Sequence, residues 1–341
     1  MRIAVCAPQV PFVRGGAEIM AETLVGELRA RDHEAELVTV PFKWYPGTRV
    51  LDQAFLWRLL DLTESDGRPI DLVVATKFPS YLVRHADKRV WLVHQFRQAY
   101  ELDGTPLGQF GDSPEERALR RKVQELDRVA LGEASRLFTT SNNVATRLEA
   151  STGLSAEVLP HPPQELDYRC SGYEDFVLSV NRLDRAKRID LLIEAAARGT
   201  GLDVVITGDG PDRERLERLA RDRGLNGRAR FTGRVSEAEL ADLYARCLAV
   251  FYAPVDEDYG MVPLEAFLSE KPVLTTTDAG GPLEVVSDGS TGLVVTPDAA
   301  EIARALGWLR EHREEAASYG RAGNAIAREV TWDRAIGRLL A

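Results

Sequence analysis

Short apolar runs recur along this chain, most of them followed by a stretch with helical spacing, and the whole pattern occurs twice. The first series has apolar runs at 3–7, 37–40, 72–75, 90–93 and 137–140, separated by helical patterns at 17–31, 49–62, 114–132 and 142–150. The second has runs at 176–180, 204–207, 229–232, 248–252, 273–275 and 292–295, with helical patterns at 189–198, 213–223, 236–246, 283–286, 299–309 and 312–328. Runs this short, alternating with helices, predict parallel sheets covered on both faces. Between the series lies Pro160-His161-Pro162-Pro163, a stiff and extended connection. The expectation is an α/β chain of two Rossmann-like domains, residues 1–164 and 165–328, facing each other across a cleft that is the default ligand site. A length of 341 residues suits two such domains.

Composition narrows the function classes. A formal charge of −10 argues against nucleic acid as the main partner, which needs a net basic surface. The three cysteines, Cys6, Cys170 and Cys247, are far apart and odd in number, so buried reduced thiols are expected rather than a metal site. The apolar start of the chain ends at Pro8, too early for a signal peptide, and no apolar stretch approaches the roughly 20 residues of a membrane helix. These features predict a cytoplasmic protein, with peripheral membrane contact left open.

The stretch 254–270, Pro-Val-Asp-Glu-Asp-Tyr-Gly-Met-Val-Pro-Leu-Glu-Ala-Phe-Leu-Ser-Glu, follows one of these apolar runs and enters a helix. Pro263 suits the first helical position, which puts Glu257 in the preceding loop and Glu265 in the first helical turn. Gly260 is expected to let the backbone turn and a ligand approach without a Cβ in the way. Backbone N–H groups and the positive end of the helix dipole suit a phosphorylated ligand, and the two carboxylates suit one that also carries hydroxyls. A nucleotide sugar has both. An acid near a helix start and a solvated loop glutamate are the plainer readings of the same residues.

With seven residues between Glu257 and Glu265, this segment resembles the E-x7-E signature of the family 4 retaining glycosyltransferases, the "glycosyl transferases group 1", which have the GT-B fold. Ser179-Val-Asn-Arg182-Leu-Asp-Arg-Ala-Lys187 resembles the family's G-R-L-x-x-x-K segment, with Asn181 in place of the commoner glycine. The resemblance implies that Arg182 and Lys187 hold the donor diphosphate. Cations near the positive end of a helix are unfavourable without an anion, which supports that role. It further implies that Glu257, with the backbone of Gly260, Met261 and Val262, orients the sugar, and that Glu265 accepts hydrogen bonds from the ribose. Gly208, in the turn Thr207-Gly-Asp-Gly-Pro211, would border the nucleotide, with Arg234 and Val235 beside the base. Gly15 and Gly16 match the family's glycine loop near donor phosphates and acceptor. His94, at the end of an apolar run, resembles the histidine that contacts the transferred sugar. The last helical pattern, within 329–341, would return to the first domain.

The implied reaction is transfer of a hexose-type sugar from a nucleotide-diphosphate donor, UDP before GDP, to an acceptor hydroxyl with retention. The acceptor-binding domain would be the first and the donor domain the second. Asp256-Glu257-Asp258 is literally D-x-D, the metal-holding pattern of the other large glycosyltransferase fold. Because fixed cations supply the charge here, no metal and no other cofactor is expected. A nucleotide-sugar epimerase, a phosphorylase-like enzyme and a catalytically silent nucleotide-sugar sensor are the rival readings.

Overall fold

The computed structural model describes residues 1–341 and divides into two compact units, 1–161 with 332–341, and 162–331. The boundary falls at His161 and Pro162, within the proline-rich connection, three residues before the sequence-based one.

The first unit is a six-stranded parallel sheet built from β1 (Arg2–Gln9), β2 (Glu34–Pro41), β3 (Leu72–Lys77), β4 (Lys88–His94), β5 (Arg136–Thr139) and β6 (Glu157–Val158). Their order is β2-β1-β3-β4-β5-β6. Alternate residues feed opposite faces, as the pleat requires. Ala4, Cys6, Val73, Ala75, Val90 and Leu92 pack under α2 (Arg49–Leu59) and α3 (Pro114–Gly132). Ile3, Val5, Leu72, Val74 and Trp91 pack under α1 (Gly16–Arg29), which contributes Met20, Leu24 and Leu28 at four-residue spacing. The helix α4 (Asn142–Thr152) starts at Ser141, whose hydroxyl accepts from the Val144 N–H.

The second unit is also six-stranded and parallel. Its strands are β7 (Phe176–Val180), β8 (Asp203–Thr207), β9 (Ala229–Gly233), β10 (Ala249–Phe251), β11 (Val273–Thr276) and β12 (Gly292–Val295). The order is β9-β8-β7-β10-β11-β12, so the chain leaves β7 in one direction and returns to its other side at β10. Val177 pairs with Val204 on one side and Ala249 on the other. The covering helices are α5 (Ile189–Ala196), α6 (Arg213–Asp222), α7 (Glu237–Arg246), α8 (Met261–Leu268), α9 (Ala299–Glu311) and α10 (Arg313–Ala327). Ser236 caps α7 reciprocally with Glu239.

The last helix, α11 (Trp332–Leu340), packs on the first unit. Its Trp332, Ala335, Ile336 and Leu339 join the α1 side of that core, and the Trp332 and Trp91 rings meet edge to face at 6.1 Å. Asp333 pairs with Arg31, and Arg89 donates to the Leu339 carbonyl at 2.6 Å. No helix is long and apolar enough to cross a membrane.

Two local expectations are corrected. The helix α8 begins at Met261 with Gly260 as its N-cap, so Pro263 is its third residue, not its first. Its missing N–H still costs nothing there, because the first four helical N–H groups lack intrahelical partners. Glu265 consequently sits in the second turn rather than the first.

Candidate active site

The carboxyl ends of β7 and β10 lie side by side where the strand order of the second unit reverses, the place where open α/β sheets bind ligands. Each end carries one of the loops singled out by sequence. The loop after β7 runs through a single 3-10 turn, Arg185–Lys187, to Arg188 in the left-handed conformation (φ 49°), which opens α5. The loop after β10 runs from Ala253 to Gly260. Val255 N–H donates to the Ala186 carbonyl at 2.8 Å, binding the two loops together.

Lys187 and Glu257 meet in a direct ion pair, with side chains 20% and 16% exposed. Tyr252, at the end of β10, completes the group. Its hydroxyl donates to Glu257 Oε2 at 3.1 Å, and the Lys187 ammonium lies 5.6 Å from its ring centre. Burial alone would pull the Lys187 pKa down, but the Glu257 carboxylate and the Tyr252 oxygen outweigh it and hold the amine well above its usual range. The lysine is therefore a permanent cation. An ammonium has three donors, so the Glu257 contact leaves capacity for an anion.

The backbone of Glu257 is fixed from the far side. Its N–H donates to the Ala279 carbonyl at 2.8 Å and its carbonyl accepts from Gly281 N–H at 2.8 Å. Arg188 is a staple between the loop and the strand beside it. Its guanidinium bonds the Ala253 and Pro254 carbonyls at 2.9 and 2.7 Å and forks onto Asp278 at 2.8 and 2.7 Å. Arg182 is half exposed, with Asp184 at 4.0 Å.

Glu265 lies apart from this pair and accepts from the Tyr244 hydroxyl at 2.6 Å. Burial raises its pKa more than that hydrogen bond lowers it. Of the two reasons given from sequence for Gly260, the backbone turn agrees with its positive φ and the open approach for a ligand is corrected. At φ 81° a Cβ would point into the protein, 2.9 Å from the Tyr252 ring and 3.0 Å from Pro282, not toward a ligand. Gly208 (φ 105°) is required in the same way, since its Cβ would fall 1.9 Å from the Asn181 carbonyl oxygen. Gly208 N–H donates to the Gly233 carbonyl at 2.8 Å, which brings the turn that carries Arg234 and Val235 to the end of β8. Arg234 is exposed and Val235 partly buried.

The first unit has its own polar group at the carboxyl edge of its sheet. Gly15 caps α1 in an extended conformation with Gly16 as the first helical residue, and the Gly15 N–H donates to Glu18 Oε2 at 2.9 Å. Glu18 pairs with Lys77 at the end of β3, both nearly buried. Burial would raise the Glu18 carboxyl, and the lysine overrides it, holding Glu18 below its usual range. His94, opposite Lys77 in the strand register, places Nδ1 2.6 Å from the Gln95 carbonyl.

Sequence reasoning missed Tyr252, Tyr244 and the Glu18–Lys77 pair. Tyr252 and Lys77 each end an apolar run, and a polar tip on the last residue of a parallel strand is the signal that was there to be read.

Two Rossmann-like units, the second with charged side chains at its strand-order reversal, place the molecule in the GT-B fold class. Solved structures agree at the level of fold. Sucrose-phosphate synthase from Thermosynechococcus elongatus superposes with a TM-score of 0.81 at 18% identity, covering 100% of this chain and 98% of that one. Anabaena HepE in complex with UDP and glucose superposes with a TM-score of 0.68 at 19% identity, covering 100% and 99%. The family described as "Glycosyl transferases group 1" matches residues 170–325. That match lies wholly within the second unit. The D-inositol 3-phosphate glycosyltransferase of Mycolicibacterium paratuberculosis is 31% identical over 270 residues, 73% of this chain and 60% of that protein. Human alpha-1,3/1,6-mannosyltransferase ALG2 is 27% identical over 185 residues, 49% and 44%. The chain thus spans about half the length of these curated relatives.

Proposed function

We propose that this chain is a retaining glycosyltransferase that moves a hexose-type sugar from a nucleotide-diphosphate donor, UDP before GDP, to an acceptor hydroxyl. The observation that carries this reading is the Lys187–Glu257 pair at the strand-order reversal of the second unit. Cleaving a sugar–phosphate bond leaves a nucleoside diphosphate whose oxygens gain negative charge. A permanently charged, nearly buried lysine stabilises that growing charge more than it stabilises the intact donor. Arg182, half exposed in the same loop after β7, adds a second cation in this reading. Glu257, held by Tyr252 and by the backbone of residues 279–281, presents its carboxylate to sugar hydroxyls. The N–H groups of Met261 and Val262, the first two of α8, have no intrahelical acceptors and suit the same donor.

Glu265, its carboxyl raised by burial above the usual range, serves as the ribose contact in this reading. The donor domain is the second unit, with Gly208, Arg234 and Val235 bordering the nucleotide. The first unit takes the acceptor, with Gly15, Gly16 and His94 at its sheet edge. The departing diphosphate oxygen takes the acceptor proton, and Arg182 and Lys187 supply the charge a metal would, so this reading calls for no metal or other cofactor. The UDP found in HepE and the family match support the nucleotide-sugar donor.

The test is a thermal-shift panel of nucleotide sugars followed by NMR of the products. A bound donor raises the unfolding temperature, because it binds only the folded state. Lys187→Ala is expected to lower turnover by roughly 100- to 1,000-fold, the usual loss for a group that stabilises transition-state charge. Near-normal turnover in that variant would remove the diphosphate assignment. Product without any acceptor, or dependence on inorganic phosphate, would replace transfer by epimerisation or phosphorolysis.

A further inference from the structure

Lys187 and Arg188 are consecutive, yet their side chains serve different partners. Between them the backbone enters the left-handed region, at φ 49° and ψ 41° for Arg188. A residue that carries a Cβ rarely takes this conformation, and where one does, surrounding contacts hold it there. Arg188 has such contacts on two neighbouring loops. Besides the Ala253 and Pro254 carbonyls, its guanidinium donates to Thr276 Oγ1 at 3.0 Å and to both carboxylate oxygens of Asp278, just after β11. The side chain is only 15% exposed. Its charge is met by Asp278, whose carboxyl it holds below the usual range. The guanidinium is thus occupied within the protein.

The two loops that Arg188 joins are the ones that hold Glu257. Asp256 N–H donates to the Asp278 carbonyl at 2.9 Å, and Glu257 exchanges backbone bonds with Ala279 and Gly281 at 2.8 Å each. Val255 N–H reaches the Ala186 carbonyl, two residues before Arg188. The loops after β7, β10 and β11 therefore close on one another around this guanidinium, and the Lys187–Glu257 pair spans the first two. A lysine ammonium rides on a flexible four-carbon stem, so its placement depends on how firmly its partner is held.

We propose that Arg188 is a positioning residue for sugar transfer: by clamping the loop of Glu257 against that of Asp278, it holds the carboxylate in place against Lys187 before the donor arrives. It acts through Lys187 and Glu257, so this role rests on the transferase reading of that pair. Arg188→Gly is the informative variant, because glycine keeps the left-handed turn without strain and removes the clamp. With a donor that the parent turns over, its kcat is expected to fall roughly 10- to 100-fold, the loss that a small misplacement of reacting groups produces, with a smaller change in the donor KM. Arg188→Lys keeps the charge but cannot fork across Asp278 and the two carbonyls, so it should not restore turnover. In a Lys187→Ala background Arg188→Gly should lower turnover no further, since both changes act through one pair. Without any ligand, the Asp256 and Glu257 amides should exchange with solvent roughly tenfold faster in Arg188→Gly. Should Arg188→Gly fail to fold, Asp278→Asn weakens the fork from its other side and is expected to lower kcat in the same way. Parental kcat in a folded clamp variant, rescue by Arg188→Lys, independent losses in the double variant, or unchanged amide exchange would each overturn the role while leaving the transferase reading in place. A parent that turns over no nucleotide sugar removes that reading, and the role with it.

Discussion

Tyr252 shows how one side chain joins packing to chemistry. Its ring is buried in the core of the second unit, while its hydroxyl reaches the Glu257 carboxylate. Tyr252→Phe keeps the ring and removes only that hydrogen bond. A drop of about 1 kcal/mol in stability is expected, with turnover lower by roughly tenfold, read by urea unfolding and initial rates. Unchanged turnover would mean that Glu257 is positioned by its backbone alone. A second test concerns Asp127, fully buried in the first unit, where the Tyr81 and Tyr100 hydroxyls donate to it at 2.8 Å each. Burial pushes its carboxyl up to about 7, against the hydroxyls' opposing pull. A carboxyl raised on folding binds its proton more tightly in the native state, so its contribution is complete below the unfolded value near 4. It is then lost as pH rises through about 7. Between pH 5 and pH 8 the parent should lose stability that Asp127→Asn does not, and equal slopes in urea titrations would refute this. Lys187 and Glu257 were readable because their spacing and their place after apolar runs are both sequence properties. Arg188 and Asp127 were not, because each acts through partners 46 to 90 residues away that only the fold brings near.

At the scale of elements, the alternation of apolar runs and helical patterns carried most of the architecture, since a parallel strand buried on both faces must read as a short continuous apolar run. Helix ends were less legible. Gly260 begins α8 without a side-chain cap, and its glycine is demanded by a positive φ and by Tyr252 across the turn, neither visible in a linear sequence. Gly260→Ala therefore meets both a strained backbone and a crowded Cβ. A loss of about 1–3 kcal/mol is expected, together with reduced donor affinity, because the same turn holds Glu257. Calorimetry and donor titration would check it, and an unaltered variant would show that the turn relaxes freely. The D-x-D look-alike belongs at this scale too. In it Asp256 occupies a left-handed turn (φ 45°), its N–H donating to the Asp278 carbonyl at 2.9 Å, and Asp258 is buried.

Across the whole molecule, the first unit draws on both ends of the described chain, because α11 fills the face of its sheet beside α1. Trp332 is 5% exposed against Trp91, so Trp332→Ala should cost roughly 3–5 kcal/mol through the cavity it leaves. That loss belongs to the first unit, so the unfolding trace should split, with the earlier transition reporting residues 1–161. A single unshifted transition would show that α11 adds little to the core. The length, the two-fold repeat of the strand pattern and the proline-rich junction all pointed to two domains. The ten residues that complete the first of them carry only a helical spacing, and no local signal says which sheet they cover.

That arrangement also orders events at the ribosome. Residues 162–331 form a continuous segment and can close their own sheet as soon as they emerge. The earlier-made sheet must wait with Ile3, Val5 and Trp91 partly bare until 332–341 have been synthesised. The half translated first is therefore the half finished last, and in that interval its uncovered face is a natural client for a chaperone.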